Sequence, residues 1–172
     1  MLSINEVLAH IKDGFKKNHN KIISFSGTDY SYEEWLNWEI FDILNKAGIR
    51  CTPKPSYKRY GEAINDRYQA DIYGHDNERD FQFIMEVALV GDATQSKWIK
   101  KIERDREKLT GFTPENKRTK KYQLVILSAN YQNLLSEWDY WLSKLNFWSN
   151  SKPATQVHST KIGEVVICGW EV

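Results

Sequence analysis

The stretch FQFIMEVALV, from Phe81 to Val90, constrains the fold of this chain more than any other. It is apolar on both faces of an extended strand, the pattern of a central strand with layers packed on either side of its sheet. Between Phe83 and Val90 only Glu86 is not apolar. A buried, unpaired carboxylate costs several kcal/mol, so Glu86 requires a cation, a proton or a hydrogen-bond network beside it.

The elements around this strand follow from spacing. Ser3 and Glu6 have capping-box spacing ahead of Val7, Leu8, Ile11 and Phe15, which predicts a first helix over residues 3 to 17. Ser31 and Glu34 repeat that spacing before WLNWEIFDILNKAG, a second helix stopped at Gly48. Pro53 and Pro55 confine any strand in the next segment to an edge or to the neighbourhood of Tyr57 to Tyr60. QADIYG, the polar turn HDNERD and the long apolar strand then form a hairpin. Thr94 is placed to cap a third helix through QSKWIKKIERDREKL, ended by Gly111 and Pro114. KKYQLVILSAN is a second central strand, reached by a helical crossover and therefore parallel to the first. A helix with Leu134, Leu135, Trp138, Leu142 and Leu145 inward and a last strand, EVVICGWEV, complete the order. The expected architecture is one α/β domain over residues 1 to 172. Its mixed sheet is flanked by helices, antiparallel at its start and parallel in its second half.

A formal charge of +1 excludes a global field of the kind a polyanion-coating protein carries, so any nucleic-acid contact needs a local basic face. Cys51 and Cys168 lack disulfide-framework or zinc-ligand spacing, and the four histidines lack metal-ligand spacing. No phosphate-binding glycine loop and no nucleophile motif occurs. No run approaches a membrane span, and a cytoplasmic location is expected.

In an antiparallel hairpin, opposed positions have a constant sum, and a loop centred between Asn77 and Asp80 sets it at about 157. Asp71 then faces Glu86. Two like charges ~5 Å apart at an effective dielectric near 20 repel by roughly 3 kcal/mol. A divalent cation reverses the sign, because Mg²⁺ takes oxygen ligands from one or two carboxylates and can activate water on a phosphodiester. A slipped register, or neutralisation of one carboxylate by Arg67, Lys97 or Lys101, is the plainer alternative.

Glu39 in WEIFDILNKAGI, Asp71 in RYQADIYG, Glu86 in FIMEVAL, and the helix WIKKIERDREKL before YQLVILS together span roughly residues 31 to 130. In that order they resemble the PD-(D/E)xK superfamily of restriction-endonuclease-like proteins. The resemblance implies an αβββαβ core, here with an extra N-terminal helix, and a Mg²⁺-dependent nuclease acting on DNA, with Mn²⁺ able to stand in. Asp71 and Glu86 would hold the metal with the Val87 carbonyl nearby, and Glu39 would assist through water or a second metal. The family's lysine, two residues after the glutamate, is replaced by Ala88. Some members carry the cation on the following helix, which points to Lys101 first and Lys97 second; both are equally suited to solvating the helix or to pairing with Asp105 and acidic neighbours. Lys97, Lys101, Arg104 and Lys108 form a basic stripe, and Lys120 and Lys121 end the cluster KRTKKY, so both are candidate phosphate contacts or simply solvated faces. A homodimer or a larger nuclease complex is the expected assembly, in a defence, restriction or mobile-element setting. The alternative is a catalytically degenerate binding or regulatory module for a protein or nucleic-acid partner, motivated by Ala88.

Overall fold

The computed structural model describes residues 3–28, 30–91, 94, 97–128, 142–146, 157–163 and 165–172. The elements in chain order are α1 (Ile4–Ser26), α2 (Glu33–Lys46), β1 (Arg50–Pro53), β2 (Gly61–Glu62), β3 (Ile72–Asp76), β4 (Phe81–Val90), α3 (Lys97–Thr110), β5 (Thr113–Pro114), β6 (Lys120–Leu127), β7 (His158–Ile162) and β8 (Val165–Glu171), with a 3-10 turn at Tyr57–Arg59. Six strands form one mixed sheet in the order β1-β3-β4-β6-β8-β7, while β2 and β5 make a separate two-stranded pair.

β4 and β6 lie near the middle and run parallel, as their apolar runs and the intervening helix predict. Alternate residues of β4 serve opposite faces. Phe81, Phe83, Met85, Val87 and Leu89 enter the core beneath α1 and α2. Ala88 and Val90 pack with Trp98 and Ile102 of α3, and Ile84 packs with Tyr57, Leu109 and Phe112. The strand is buried on both sides because each side has its own helical layer.

The capping box at Ser3 and Glu6 forms, but α1 continues to Ser26 rather than ending near residue 17. Ile22 lies two turns beyond Phe15 on the same face and is buried with it, so the apolar stripe resumes after the polar stretch KKNHN. The second capping box does not form: α2 begins after Tyr32, which gives no side-chain cap. Gly48 has φ 86°, the left-handed conformation that ends the helix. Thr94 closes a turn on Gly91 through its hydroxyl. Pro53 ends β1, which is an edge strand, and the chain around Tyr57 makes a turn instead of a strand.

The second half of the sheet departs from the expected parallel arrangement. β8 runs antiparallel to β6, and β7 adds an outer antiparallel strand, so among the described residues β4–β6 is the one parallel pair in the sheet. The helix expected from Tyr131 to Trp148 lies outside the described residues except at 142–146, where Leu142 and Leu145 are buried against the α3 side. Among the described residues no helix is long and apolar enough to cross a membrane.

Candidate functional site

The β3–β4 ladder pairs Ile72 with Met85, Tyr73 with Ile84 and Gly74 with Phe83, so the register sets Asp71 opposite Glu86. Asp71 makes the last rung, donating its N–H to the Met85 carbonyl at 3.2 Å. β4 then continues with β6 on one side and no strand on the other, and its backbone groups on that open side need other partners. The Val87 N–H donates to Asp71 Oδ2 at 2.8 Å. The Leu89 N–H donates to Glu33 Oε2 at 3.2 Å, and the Val87 carbonyl accepts from Lys101 Nζ at 3.2 Å. Charged side chains therefore gather where β3 stops, because there they replace a missing strand.

Asp71, Glu86 and Asp105 each place a carboxylate oxygen within 4.8 Å of the others, and all three are buried. Asp105 comes from α3, where Trp98, Ile102 and Leu109 bring the helix down onto the sheet. Glu86 Oε1 accepts from the Tyr57 hydroxyl at 2.7 Å, and Lys108 Nζ lies 3.2 Å from both Glu86 oxygens. Lys108 also donates to Asp105 Oδ1 at 2.9 Å, and Lys101 pairs with Asp105 Oδ2. Asp71 Oδ1 accepts from Lys54 Nζ at 2.7 Å and from Asn37 Nδ2 at 3.2 Å. Lys54 stands between Pro53 and Pro55 with φ 47°, a left-handed conformation that is strained for a side-chain-bearing residue. Its N–H donates to the Asp71 carbonyl at 2.9 Å, and its ammonium bridges outward to Glu34 Oε2 at 3.2 Å.

Environment sets these groups apart. Burial, with the charges of Asp105 and Asp71, holds the Glu86 carboxyl well above its ordinary value, against the opposing pull of Lys108 and the Tyr57 hydroxyl. Burial would also raise Asp71, but Lys101, Lys54 and the Val87 N–H outweigh it and hold that carboxyl low. For Lys101 burial disfavours the ammonium, while Asp105, Asp71 and Glu33 more than compensate and push its pKa up. Burial raises Glu33.

The structure brings together Asp71, Glu86, Lys101 and the Val87 carbonyl. It sets Glu39 elsewhere: that carboxylate pairs with Asn18 of α1. Glu39 is six residues beyond Glu33 and so points from another side of the same helix, and Glu33 is the α2 carboxylate that reaches β4. Lys97 and Arg104 are exposed. Lys108 is not part of an outward stripe; with 13 % of its side chain exposed it is turned onto Glu86 and Asp105. Lys120 pairs with Glu171 at 2.5 Å, and Lys121 reaches the Phe112 carbonyl at 3.5 Å, so neither points into the carboxylate cluster. Ala88 packs among apolar residues beneath α3. Sequence reasoning gave Asp105 only as an ion-pair partner for Lys101, a pair the structure contains, and missed Lys54, Tyr57, Asn37 and Glu33. Only Asp105 carried a signal, being spaced at i+4 from Lys101 on the apolar side of α3.

The convergent donors are all oxygens, without thiolate or imidazole, which suits a hard cation such as Mg²⁺, Mn²⁺ or Ca²⁺ rather than a soft one. The buried Asn37 Oδ1, on the amide that holds Asp71, has no hydrogen-bond partner among the described residues. Neither family models, curated proteins nor solved structures match this chain.

Proposed function

We propose that this chain is a metal-dependent nuclease of the PD-(D/E)xK kind acting on DNA. The observation that carries the proposal is the convergence of Asp71, Glu86 and Asp105 at the unpaired margin of β4, with lysine ammonium groups among them. The succession α2, β1, β3, β4, α3, β6 supports it, since leaving aside the two-residue strands it repeats the αβββαβ order that the resemblance implies.

In this reading Asp71, Glu86 and Asp105 hold Mg²⁺, with Mn²⁺ able to replace it. The ion supplies an activated water and neutralises charge on the phosphodiester when bound. Lys101 takes the part left open by Ala88: it reaches from α3 to within 3.8 Å of Asp71 Oδ2. Its positive charge then stabilises the anionic transition state. Glu33 takes the auxiliary position expected of Glu39. Lys54, with 37 % of its side chain exposed, stands on the solvent side of Asp71, where a DNA phosphate would arrive.

A second reading, a degenerate binding module on the same fold, is favoured by one specific observation. Each of the three carboxylates already has a lysine partner, so the site is electrically provided for without a metal. Plasmid nicking in Mg²⁺ or Mn²⁺ separates the two. The nuclease reading expects cleavage by the wild type and a loss of at least about 100-fold in Asp71→Ala. Equal rates in both proteins, or DNA retained without cleavage in either metal, would refute it.

A further inference from the structure

The Lys101 ammonium sits in a cage of oxygens. Its Nζ donates to the Val87 carbonyl at 3.2 Å and to Asp105 Oδ2, and it lies 3.6 Å from Glu33 Oε1 and 3.8 Å from Asp71 Oδ2. These four oxygens come from β4, α3, α2 and the residue preceding β3, and three of them are carboxylate oxygens. An ammonium has three N–H groups, so it cannot donate to all four at once. Lys101 faces three acids at once; Asp71 and Asp105 also pair with Lys54 and Lys108 respectively and belong to the metal-competent triad, while Glu33 shares Lys101 with them.

An acidic cluster alone says little about a ligand, but Asn37 adds an independent sign. It is 4 % exposed, donates its Nδ2 to Asp71 Oδ1 at 3.2 Å, and leaves the oxygen of the same amide without a partner among the described residues. A buried acceptor without a donor is costly to keep. Its amide is held on Asp71, where a cation, or water bound to one, would supply the missing partner.

We infer that Lys101 is the resident counter-ion of this site, and that a divalent cation binds by displacing its ammonium from Asp71, Asp105 and the Val87 carbonyl. The side chain is 31 % exposed, so its flexible stem has an open direction in which to move. The exchange replaces one charge by two among the acids and turns a released ammonium toward solvent, where a phosphate would be met. The inference rests on the metal-site part of the proposed function and not on DNA cleavage. It makes the wild type a weak binder of divalent ions, because metal and ammonium compete for the same oxygens.

Calorimetric titration of the full chain with Mn²⁺ tests this in the wild type, Lys101→Met and Lys101→Arg. Methionine retains an unbranched stem and removes the charge, and arginine retains the charge. The expected result is binding about tenfold or more tighter in Lys101→Met, with no tightening in Lys101→Arg. Equal or weaker binding by Lys101→Met, or no heat from either the wild type or Lys101→Met, overturns the inference. Should Lys101→Met be unfolded without metal, its refolding by Mn²⁺ is read by circular dichroism. Recovery at concentrations that leave the wild-type melting temperature unmoved supports the inference, and no recovery at concentrations that saturate the wild type overturns it. Failure of the nuclease reading looks different: no variant nicks plasmid, while Lys101→Met still binds Mn²⁺ more tightly.

Discussion

Glu86 is 1 % exposed and faces Asp71, Asp105, Lys108 and the Tyr57 hydroxyl. Its carboxyl is raised well above the ordinary value of 4.5, first by burial and then by the neighbouring acids. A carboxyl raised in the folded state binds its proton more tightly there than in the unfolded chain. Its contribution to stability is therefore complete below pH 4.5 and is lost as pH rises through the folded value. Asp71 runs the other way: held below 3.8, it contributes above that pH and loses the contribution as pH falls through its lower folded value. In metal-free protein, Glu86→Gln should consequently flatten the decline of stability as pH rises above 4.5. Urea unfolding of both proteins at a series of pH values checks this, and parallel curves would contradict it. Tyr57→Phe removes the hydroxyl that donates to Glu86 at 2.7 Å and should cost about 1–3 kcal/mol by the same assay. The opposition of Asp71 and Glu86 was legible in the sequence, because a hairpin fixes its own register. Tyr57, Lys54 and Asn37 were not, because each reaches the carboxylates across a tertiary contact that no local spacing announces.

At the scale of elements, the site exists because β3 is shorter than β4. The β4 groups left over at Val87 and Leu89 are taken by Asp71, Glu33 and Lys101 instead of a strand. On α3, Lys101, Asp105 and Lys108 border the buried stripe of Trp98, Ile102 and Leu109, while Lys97 and Arg104 lie further round the helix in solvent. A basic stripe read from spacing merged these two groups, since helical periodicity gives a direction but not how far a long side chain folds back. Lys108→Met should cost about 3–5 kcal/mol, because it leaves Glu86 and Asp105 buried with less compensation; denaturant unfolding measures it, and a change under about 1 kcal/mol would argue against a buried pair. The α1–α2 contact depends on Gly14, where an added Cβ would run into the side chain of Ile43. Gly14→Ala should lower stability by about 1–3 kcal/mol, seen as a lower melting temperature with the sheet retained by circular dichroism. The helices facing the sheet and the central strands were readable from their apolar periods. The antiparallel course of β8 and the added β7 were not, because a strand's apolar run does not state its direction.

For the whole molecule, a sheet buried on both faces gathers Asp71, Glu86 and Asp105 with their lysines at one rim, between α2, α3 and the end of β3. A net charge of +1 provides no long-range attraction for a polyanion, so the proposed DNA contact depends on the local ammonium groups of Lys54 and Lys101 at that rim. The central claim is that the converging acids hold a divalent cation, and thermal unfolding across a Mn²⁺ or Mg²⁺ series tests it most directly. The wild type should melt at rising temperature as metal is added, by mass action on the folded state, while the double variant Asp71→Asn, Glu86→Gln should not respond. An equal rise in both proteins, or no rise in the wild type at any concentration, would contradict the account.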